Sequence, residues 1–266
     1  MSDDSLPKIL TQMTREPGGW RVPLTRNWMQ GRTAFGGWTS AVLLEAAQRD
    51  GADLPPLRSA LVNFTGPVTG VPLLTTRVLR QGRNVTTVAA EAQIADQVCG
   101  TATFSFGAAQ DSAIAVAEPG PAAPEPESCP PLIPKQAQAM APGFHHNFDI
   151  RLIEGDLPFS GSDRGYLRGW ARHTDPQAWD GMVPLLCLAD ILPPAVFPLF
   201  PRPGPNSSMT WICNVLHDTP RTEAGWWQVE TVVSGAANGY SSQHMRMWNS
   251  DGALVVDGMQ SVVVFV

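Results

Sequence analysis

The sequence has few cysteines and histidines, and their spacing is not that of a metal site. The cysteines are Cys99, Cys129, Cys187 and Cys213, and the histidines are His145, His146, His173, His217 and His244. No CxxC, HxxH or HExxH pattern occurs among them, so the sequence predicts no metal centre. Three cysteines lie in segments with strand or buried-helix character, which predicts reduced packing residues.

Positive charge is also scarce, with 18 Lys and Arg against 24 Asp and Glu, a net charge of -6. A nucleic-acid surface would need a basic patch, so we expect no nucleic-acid partner. Pro, Asp or Gly breaks every long apolar run before it could span a bilayer, and residues 1–8 lack the features of a secretory signal. We therefore expect no membrane partner and a cytoplasmic location. No GxGxxG or P-loop motif occurs, and we expect no cofactor.

Proline is abundant and concentrated in one segment. Seven of the 25 prolines lie in residues 117–134, AEPGPAAPEPESCPPLIP. Proline at this density is incompatible with a helix or an interior strand, so we predict a disordered or extended linker. The predicted division is an N-terminal module at 1–115, a Pro-rich linker at 116–139 and a C-terminal module at 140–266. A second proline-rich stretch, 193–205, carries apolar residues and predicts an ordered surface loop or the wall of a pocket.

The order of predicted elements occurs twice. Each half contains an apolar helix followed by four runs rich in Val, Thr, Phe and Trp, the composition of half-buried strands. The predicted helices are 37–50 and 182–192, and the predicted strands are 59–64, 73–80, 84–93, 98–106, 209–216, 226–233, 240–248 and 253–265. This order predicts two similar modules, each with an antiparallel sheet packed around one helix.

A double glycine, Gly36-Gly37, opens the first helix. The free N–H groups of a helix N-terminus and its dipole could hold a carbonyl oxygen that gains charge during acyl transfer. Close packing of the helix against a neighbour would also require glycine. Both interpretations remain open at this point. Arg80 and Arg83 flank a turn, where they could meet a phosphate or remain solvated.

Two polar residues interrupt apolar segments in the second half. Asp190 is the one charged residue between Met182 and Leu192. An ionised carboxylate on such a helix needs a partner or a function, and it could act as a general base unless it lies on the solvent face. Gln260 lies in an apolar terminal strand, where its amide could orient a water or be satisfied by backbone groups.

A rival carboxylate, Glu45, occupies the corresponding place on the first helix. The first module carries Thr103, and no glutamine, at the position aligned with Gln260. This difference favours the Asp190 site over a site at Glu45.

Several short motifs occur in one order along the chain: Phe35-Gly36-Gly37, Phe64-Thr-Gly-Pro67, Leu79-Arg80-Gln81-Gly82-Arg83, Leu188-Ala189-Asp190 and the strand that ends at Gln260. In this order they resemble the double-hotdog acyl-CoA thioesterases of the type II family. The resemblance covers nearly the whole chain outside the linker. It implies an α+β double hotdog, in which two fused modules each wrap an antiparallel sheet around a central helix.

The resemblance also implies a function, the hydrolysis of acyl-CoA or a related acyl thioester in fatty acid metabolism. Water would be held by Asp190, Ser208 and Gln260. From the helix N-terminus and the arginines at the turn described above, we expect substrate contacts at Gly36, Gly37, Arg80 and Arg83. Other registers would place Met209 or Thr210 at the hydroxyl position, and Met could not orient water.

Two other functions remain open. One is a non-catalytic binding protein for acyl thioesters or hydrophobic small molecules. The other is a hotdog dehydratase, whose chemistry usually pairs a His with the acid, although no His accompanies either helix. A homo-oligomer is also left open.

Overall fold

The computed structural model of the protein describes residues 4–51, 53–116 and 119–265. Within these ranges the α-helices are α1 (Leu6–Thr11), α2 (Gly36–Asp50) and α3 (Met182–Ala189). The strands of the first half are β1 (Thr14–Glu16), β2 (Gly19–Arg21), β3 (Met29–Gln30), β4 (Thr33–Ala34), β5 (Leu57–Phe64), β6 (Leu73–Gln81), β7 (Val85–Ile94) and β8 (Gln97–Gly107). Those of the second half are β9 (Phe148–Gly155), β10 (Tyr166–His173), β11 (Asn206–Val215), β12 (Trp227–Ala237), β13 (Tyr240–Trp248) and β14 (Leu254–Val264).

One antiparallel sheet runs through both halves of the described chain. Its strand order is β1-β2-β6-β7-β8-β5-β11-β14-β13-β12-β10-β9, and β3 pairs separately with β4. The halves join where β5 pairs with β11, from Thr210 opposite Asn63 to Asn214 opposite Ser59. Helix α2 packs against β6, β7 and β8, helix α3 packs against β10 and β13, and the two helices contact each other. Each half is therefore an antiparallel sheet around a central helix, as predicted.

The predicted second helix was too long. It was expected to reach Leu192, whereas α3 ends at Ala189 and Asp190 is its C-cap. The cause is the pair Pro193-Pro194, because a residue before proline is pushed out of the α conformation and proline cannot continue the hydrogen-bond ladder. Asp190 thus lies at the end of the helix, where its side chain can reach groups beyond the helix face.

Two strands of the second half, β9 and β10, were not predicted from the sequence. Both precede α3. In β10 every residue but Arg172 is buried, so the alternation of buried and exposed residues that signals a strand is absent. Both faces of β10 are covered, one by α3 and the other by the proline-rich segment.

The proline-rich segment is ordered where it is described, which contradicts the expected disordered spacer; residues 117 and 118 lie outside the described ranges. Trp170 donates its indole N–H to the carbonyl of Pro124 at 2.8 Å, and Gln228 donates to that of Pro121 at 3.0 Å. Carbonyl groups of a proline-rich chain lack partners of their own, so strand side chains can bind them. The segment packs on the C-terminal half, and the boundaries 116 and 139 stay predictions.

The second proline-rich stretch is also ordered and partly internal. Val196 and Phe197 are buried and form a small apolar cluster with Val262 and Val264 of β14. The expectation of a surface loop is therefore wrong for these residues. Their burial holds the loop after α3 against the sheet.

The main core surrounds α2, where Trp38, Leu43 and Leu44 are inaccessible to solvent. All four cysteines are buried and free, which confirms them as packing residues. Of the helices in the described ranges, none combines the length and the apolar character that crossing a membrane requires.

Candidate active site

The C-terminal end of α3 meets the N-terminal end of α2, and this contact requires glycine. A Cβ atom at Gly37 would overlap the backbone carbonyl oxygen of Cys187, and one at Gly36 would lie 2.6 Å from Oδ2 of Asp190. Only residues without a side chain allow this approach. The packing interpretation of Gly36 and Gly37 is therefore supported. Direct substrate contact by these glycines stays a prediction.

The start of α2 is held in place by aromatic rings. Phe35, the N-cap residue of α2, stacks on Phe144 with ring centroids 4.2 Å apart. Its other neighbour is the edge of Phe148, at 6.0 Å. Because both partners come from the second half of the chain, they fix the α2 N-terminus relative to the elements that carry Asp190.

Asp190 and Gln260 are brought together by the fold. Nε2 of Gln260 donates a hydrogen bond to Oδ1 of Asp190 at 2.8 Å. The backbone N–H of Gly37 donates a second hydrogen bond to the carboxylate. A carboxylate at a helix N-terminus is also stabilised by the helix dipole. The double glycine, found as a sequence motif, thus serves the same site as Asp190.

The electrostatic environment of Asp190 suits proton transfer near neutral pH. Burial of the carboxyl group raises its pKa to about 7, while the hydrogen bonds from Gln260 and Gly37 act in the opposite direction. Burial also raises the pKa of the nearby Cys187 and Cys213 thiols, which are therefore neutral. The carboxyl group is therefore the buried part of a residue that as a whole remains partly exposed. A carboxyl group with a pKa near the working pH is suited to act as a general base.

The amide of Gln260 has a second partner that sequence reasoning missed. Nε2 of Gln243 donates to Oε1 of Gln260 at 3.0 Å, and Oε1 of Gln243 accepts the backbone N–H of Ala195 at 2.7 Å. Gln243 and Gln260 are directly opposite each other on β13 and β14. The sequence did carry a signal for Gln243, because it occupies alternate positions with Met245 and Met247. These residues are buried on the same face of β13.

The strand register separates the three candidates for the hydroxyl position. Ser208 pairs with Val262, so it shares the inner face of the sheet with Gln260, two residues along β14. Thr210 is exposed and pairs with Ser261 on the outer face, which excludes it from the site. Met209 lies at a register shift between them. The hydrogen-bond donors to Asp190 are Gln260 and Gly37, and a role for Ser208 stays a prediction.

The rival carboxylate Glu45 is not brought to Asp190. It follows Gly36 by nine residues on α2, a distance of about 13 Å along the helix axis. Nε of Arg49 donates to its Oε1 at 2.7 Å in an (i, i+4) ion pair. Glu45 instead lines a separate cavity of about 230 Å³ between α1, α2 and the start of α3.

The proposed counterpart of Gln260 in the first half was misaligned. Thr103 pairs with the exposed Leu61 and therefore faces outward, and the inward residues on either side of it are the buried Ala102 and Phe104. A shift of one residue along a strand moves a side chain to the other face. The two halves still differ at this position, because neither Ala102 nor Phe104 carries an amide side chain.

Arg80 and Arg83 lie at the exposed end of the hairpin between β6 and β7. Strands β7, β8, β5 and β11 separate β6 from β14, which carries Gln260. The structure does not bring these arginines to Asp190, and phosphate binding by them stays a prediction.

Comparison with protein families gives two matches that together cover most of the chain. Residues 24–107 match the model for the acyl-CoA thioesterase N-terminal domain, and residues 126–264 match that for the acyl-CoA thioesterase C-terminal domain. No curated protein matches the chain in sequence.

Solved structures with the same architecture include three that align over nearly their full length. A hotdog-fold protein of unknown function from Alicyclobacillus acidocaldarius is 21% identical, with a TM-score of 0.86 and 97% of each chain covered. A putative thioesterase II from Thermobifida fusca is 22% identical, with a TM-score of 0.80 and 100% of each chain covered. An acyl-CoA thioesterase II from Mycobacterium marinum is 20% identical, with a TM-score of 0.72 and 97% of each chain covered. At these identities the likeness establishes the fold, and it confirms the predicted α+β double hotdog.

Proposed function

Because the chain belongs to the acyl-CoA thioesterase family, we propose that it hydrolyses acyl-CoA or a related acyl thioester, with Asp190 as the general base. The observation that carries this proposal is the meeting of the Asp190 carboxylate with the Gln260 amide at the N-terminus of α2. Fold alone does not define activity, so the proposal rests on this site together with the family. We place the reaction in the cytoplasm.

The proposed reaction is attack by water on the thioester carbonyl. Asp190 accepts a proton from water as the water oxygen bonds to the carbonyl carbon. The tetrahedral intermediate then collapses with cleavage of the C–S bond. The departing thiolate takes the proton from Asp190, which restores the carboxylate and releases a carboxylic acid and a thiol.

Gln260 is proposed to position the reacting groups. Its Oε1 accepts a hydrogen bond from Nε2 of Gln243, and one hydrogen of its NH₂ group is donated to Asp190. The second amide hydrogen is the donor that remains for the attacking water or the thioester oxygen. The hydroxyl of Ser208 is the proposed third group, because it shares the inner face of the sheet with Gln260.

The direct test is turnover by the purified protein. Acyl-CoAs of several chain lengths are incubated with the protein, and free thiol is followed over time against a protein-free blank. We expect thiol release in proportion to protein concentration. Saturable binding of acyl-CoA without thiol release at any chain length would contradict the proposal and favour a binding protein.

A pH profile gives a second expected result. Because the base must be deprotonated and its pKa is about 7, kcat/KM should rise with pH and level off above a midpoint of about 7. The measurement is kcat/KM from about pH 5 to pH 9, with the spontaneous hydrolysis rate subtracted at each pH. The Glu45→Gln variant should keep the same midpoint. A profile that is flat through neutral pH would mean that Asp190 is not the base.

A further inference from the structure

The structure contains a chain of hydrogen bonds that begins at the Asp190 side chain. It ends in the loop after α3, at a residue five positions after Asp190 in the sequence. It runs from the Asp190 carboxylate to Gln260, from Gln260 to Gln243, and from Gln243 to the backbone N–H of Ala195. We refer to these four residues as the relay. All of its bonds are between 2.7 and 3.0 Å long.

The direction of each amide in the relay is determined by its last member. A backbone N–H can only donate, so the atom of Gln243 that faces Ala195 must be the carbonyl oxygen. The NH₂ group of Gln243 then faces Gln260, which must accept with its own carbonyl oxygen. The NH₂ group of Gln260 is consequently directed at Asp190.

Prolines explain why Ala195 is the donor. Residues 193 and 194 are both prolines and have no N–H group, so Ala195 is the first donor after them. Ala195 and Gln243 are fully buried, and Gln260 is 3% exposed. Water cannot readily replace the hydrogen bonds that join Ala195, Gln243 and Gln260, and an unpaired buried polar group is costly.

We infer that Gln243 is a positioning residue, which fixes the Gln260 amide in the one orientation that donates to Asp190. Without Gln243, the Gln260 amide could rotate by half a turn and place its carbonyl oxygen against the carboxylate. Asp190 would then lose a donor that favours its ionised form. The inferred effect of Gln243 on catalysis rests on the proposed function, whereas its effect on the Gln260 amide does not.

The variant that tests this inference is Gln243→Met, which keeps the length of the side chain and removes both of its hydrogen bonds. We expect the pKa of Asp190 to be about one pH unit higher than in the wild type, because a hydrogen bond to a charged group has that magnitude. The midpoint of kcat/KM should move upward with it, and kcat should fall about tenfold or more with little change in KM. The pKa is read from the carboxyl ¹³C shift of Asp190 in labelled protein, which requires no activity.

A matched control is Gln228→Met. Gln228 is also a buried glutamine of the same sheet, but its partners are Arg168 and the carbonyl of Pro121, outside the relay. The Gln228→Met variant should also lose stability, because it too loses buried hydrogen bonds. It should leave the pKa of Asp190 unchanged. A folded Gln243→Met protein with a wild-type Asp190 pKa would overturn the inference.

A second measurement applies if Gln243→Met does not fold. Neutron diffraction from wild-type crystals exchanged into D₂O locates the deuterium atoms of both amides. Deuterium on the Gln260 atom that faces Asp190, and on the Gln243 atom that faces Gln260, supports the inference; the reverse orientation overturns it. A wild type without thioesterase activity would overturn the proposed function alone, because both structural readouts would still be available.

Discussion

The Asp190→Asn variant is expected to lower kcat for acyl-CoA hydrolysis by about a hundredfold or more, the usual scale for the loss of a general base. Asparagine keeps the volume of the side chain and one oxygen that can accept from Gln260, but it cannot take a proton from water. Binding of acyl-CoA should change little. The measurement is steady-state thiol release with binding determined in parallel.

The control is Glu45→Gln, the matching change in the carboxylate of the first helix. Because Glu45 is paired with Arg49 and lies about 13 Å along α2 from Gly36, its loss should affect kcat far less. If Glu45→Gln abolished activity while Asp190→Asn resembled the wild type, the catalytic base would belong to the first module.

The free energy of unfolding of Asp190→Asn checks that its loss of activity is not caused by unfolding. The folded-state pKa of Asp190 is about 7, above its ordinary value of 3.8, so the folded protein holds this proton more tightly than the unfolded chain. The stability that the protonated Asp190 side chain contributes is therefore present at low pH, and it is lost as pH rises through about 7. Above that pH, Asp190→Asn removes a buried charge, and we expect a free energy of unfolding equal to or higher than that of the wild type.

The Gly37→Ala variant is expected to lower the free energy of unfolding by about 3 kcal/mol. Alanine would favour an unstrained helix by up to about 1 kcal/mol relative to glycine. Here the added Cβ would overlap the backbone carbonyl of Cys187, which cannot rotate away, so α2 and α3 would have to separate. The overlap therefore outweighs the gain in helix propensity, and the variant should be less stable than the wild type. Chemical denaturation of both proteins measures the difference.

Gly70→Ala is the control for Gly37→Ala. A Cβ atom at Gly70 has no neighbour within 4 Å, and the backbone there has no positive φ. This change should be neutral or slightly stabilising, since it only restricts the unfolded chain. Equal stability of the two variants would show that the helices do not depend on the absence of a side chain at Gly37.

The predictions from sequence succeeded where the signal was local. The helix at 36–50 and the strand at 240–248 were predicted to within a residue, because their patterns reflect packing against one neighbouring layer. Asp190 and Gln260 stood out for a related reason, since each is a polar residue in an apolar segment. Their hydrogen bond follows from pairing across the fold, which the sequence could suggest only through the family resemblance.

The predictions failed where tertiary contacts decide the outcome. Strand β10 is covered on both faces and lacks alternation, so nothing local indicated a strand. Gln243 was missed because its partner Ala195 lies 48 residues earlier in the chain. The partner of Gly37 is the carbonyl of Cys187, in the other half of the molecule. No sequence period reports contacts of this kind.

The most direct test of Asp190-assisted attack by water is a single turnover in H₂¹⁸O, with the protein in excess over acyl-CoA. If Asp190 activates water as a base, the released acid should carry ¹⁸O from the first turnover, and the peptide that contains Asp190 should remain unlabelled. An unlabelled acid in the first turnover, with ¹⁸O appearing in Asp190, would contradict general-base catalysis and show that the carboxylate attacks the thioester itself.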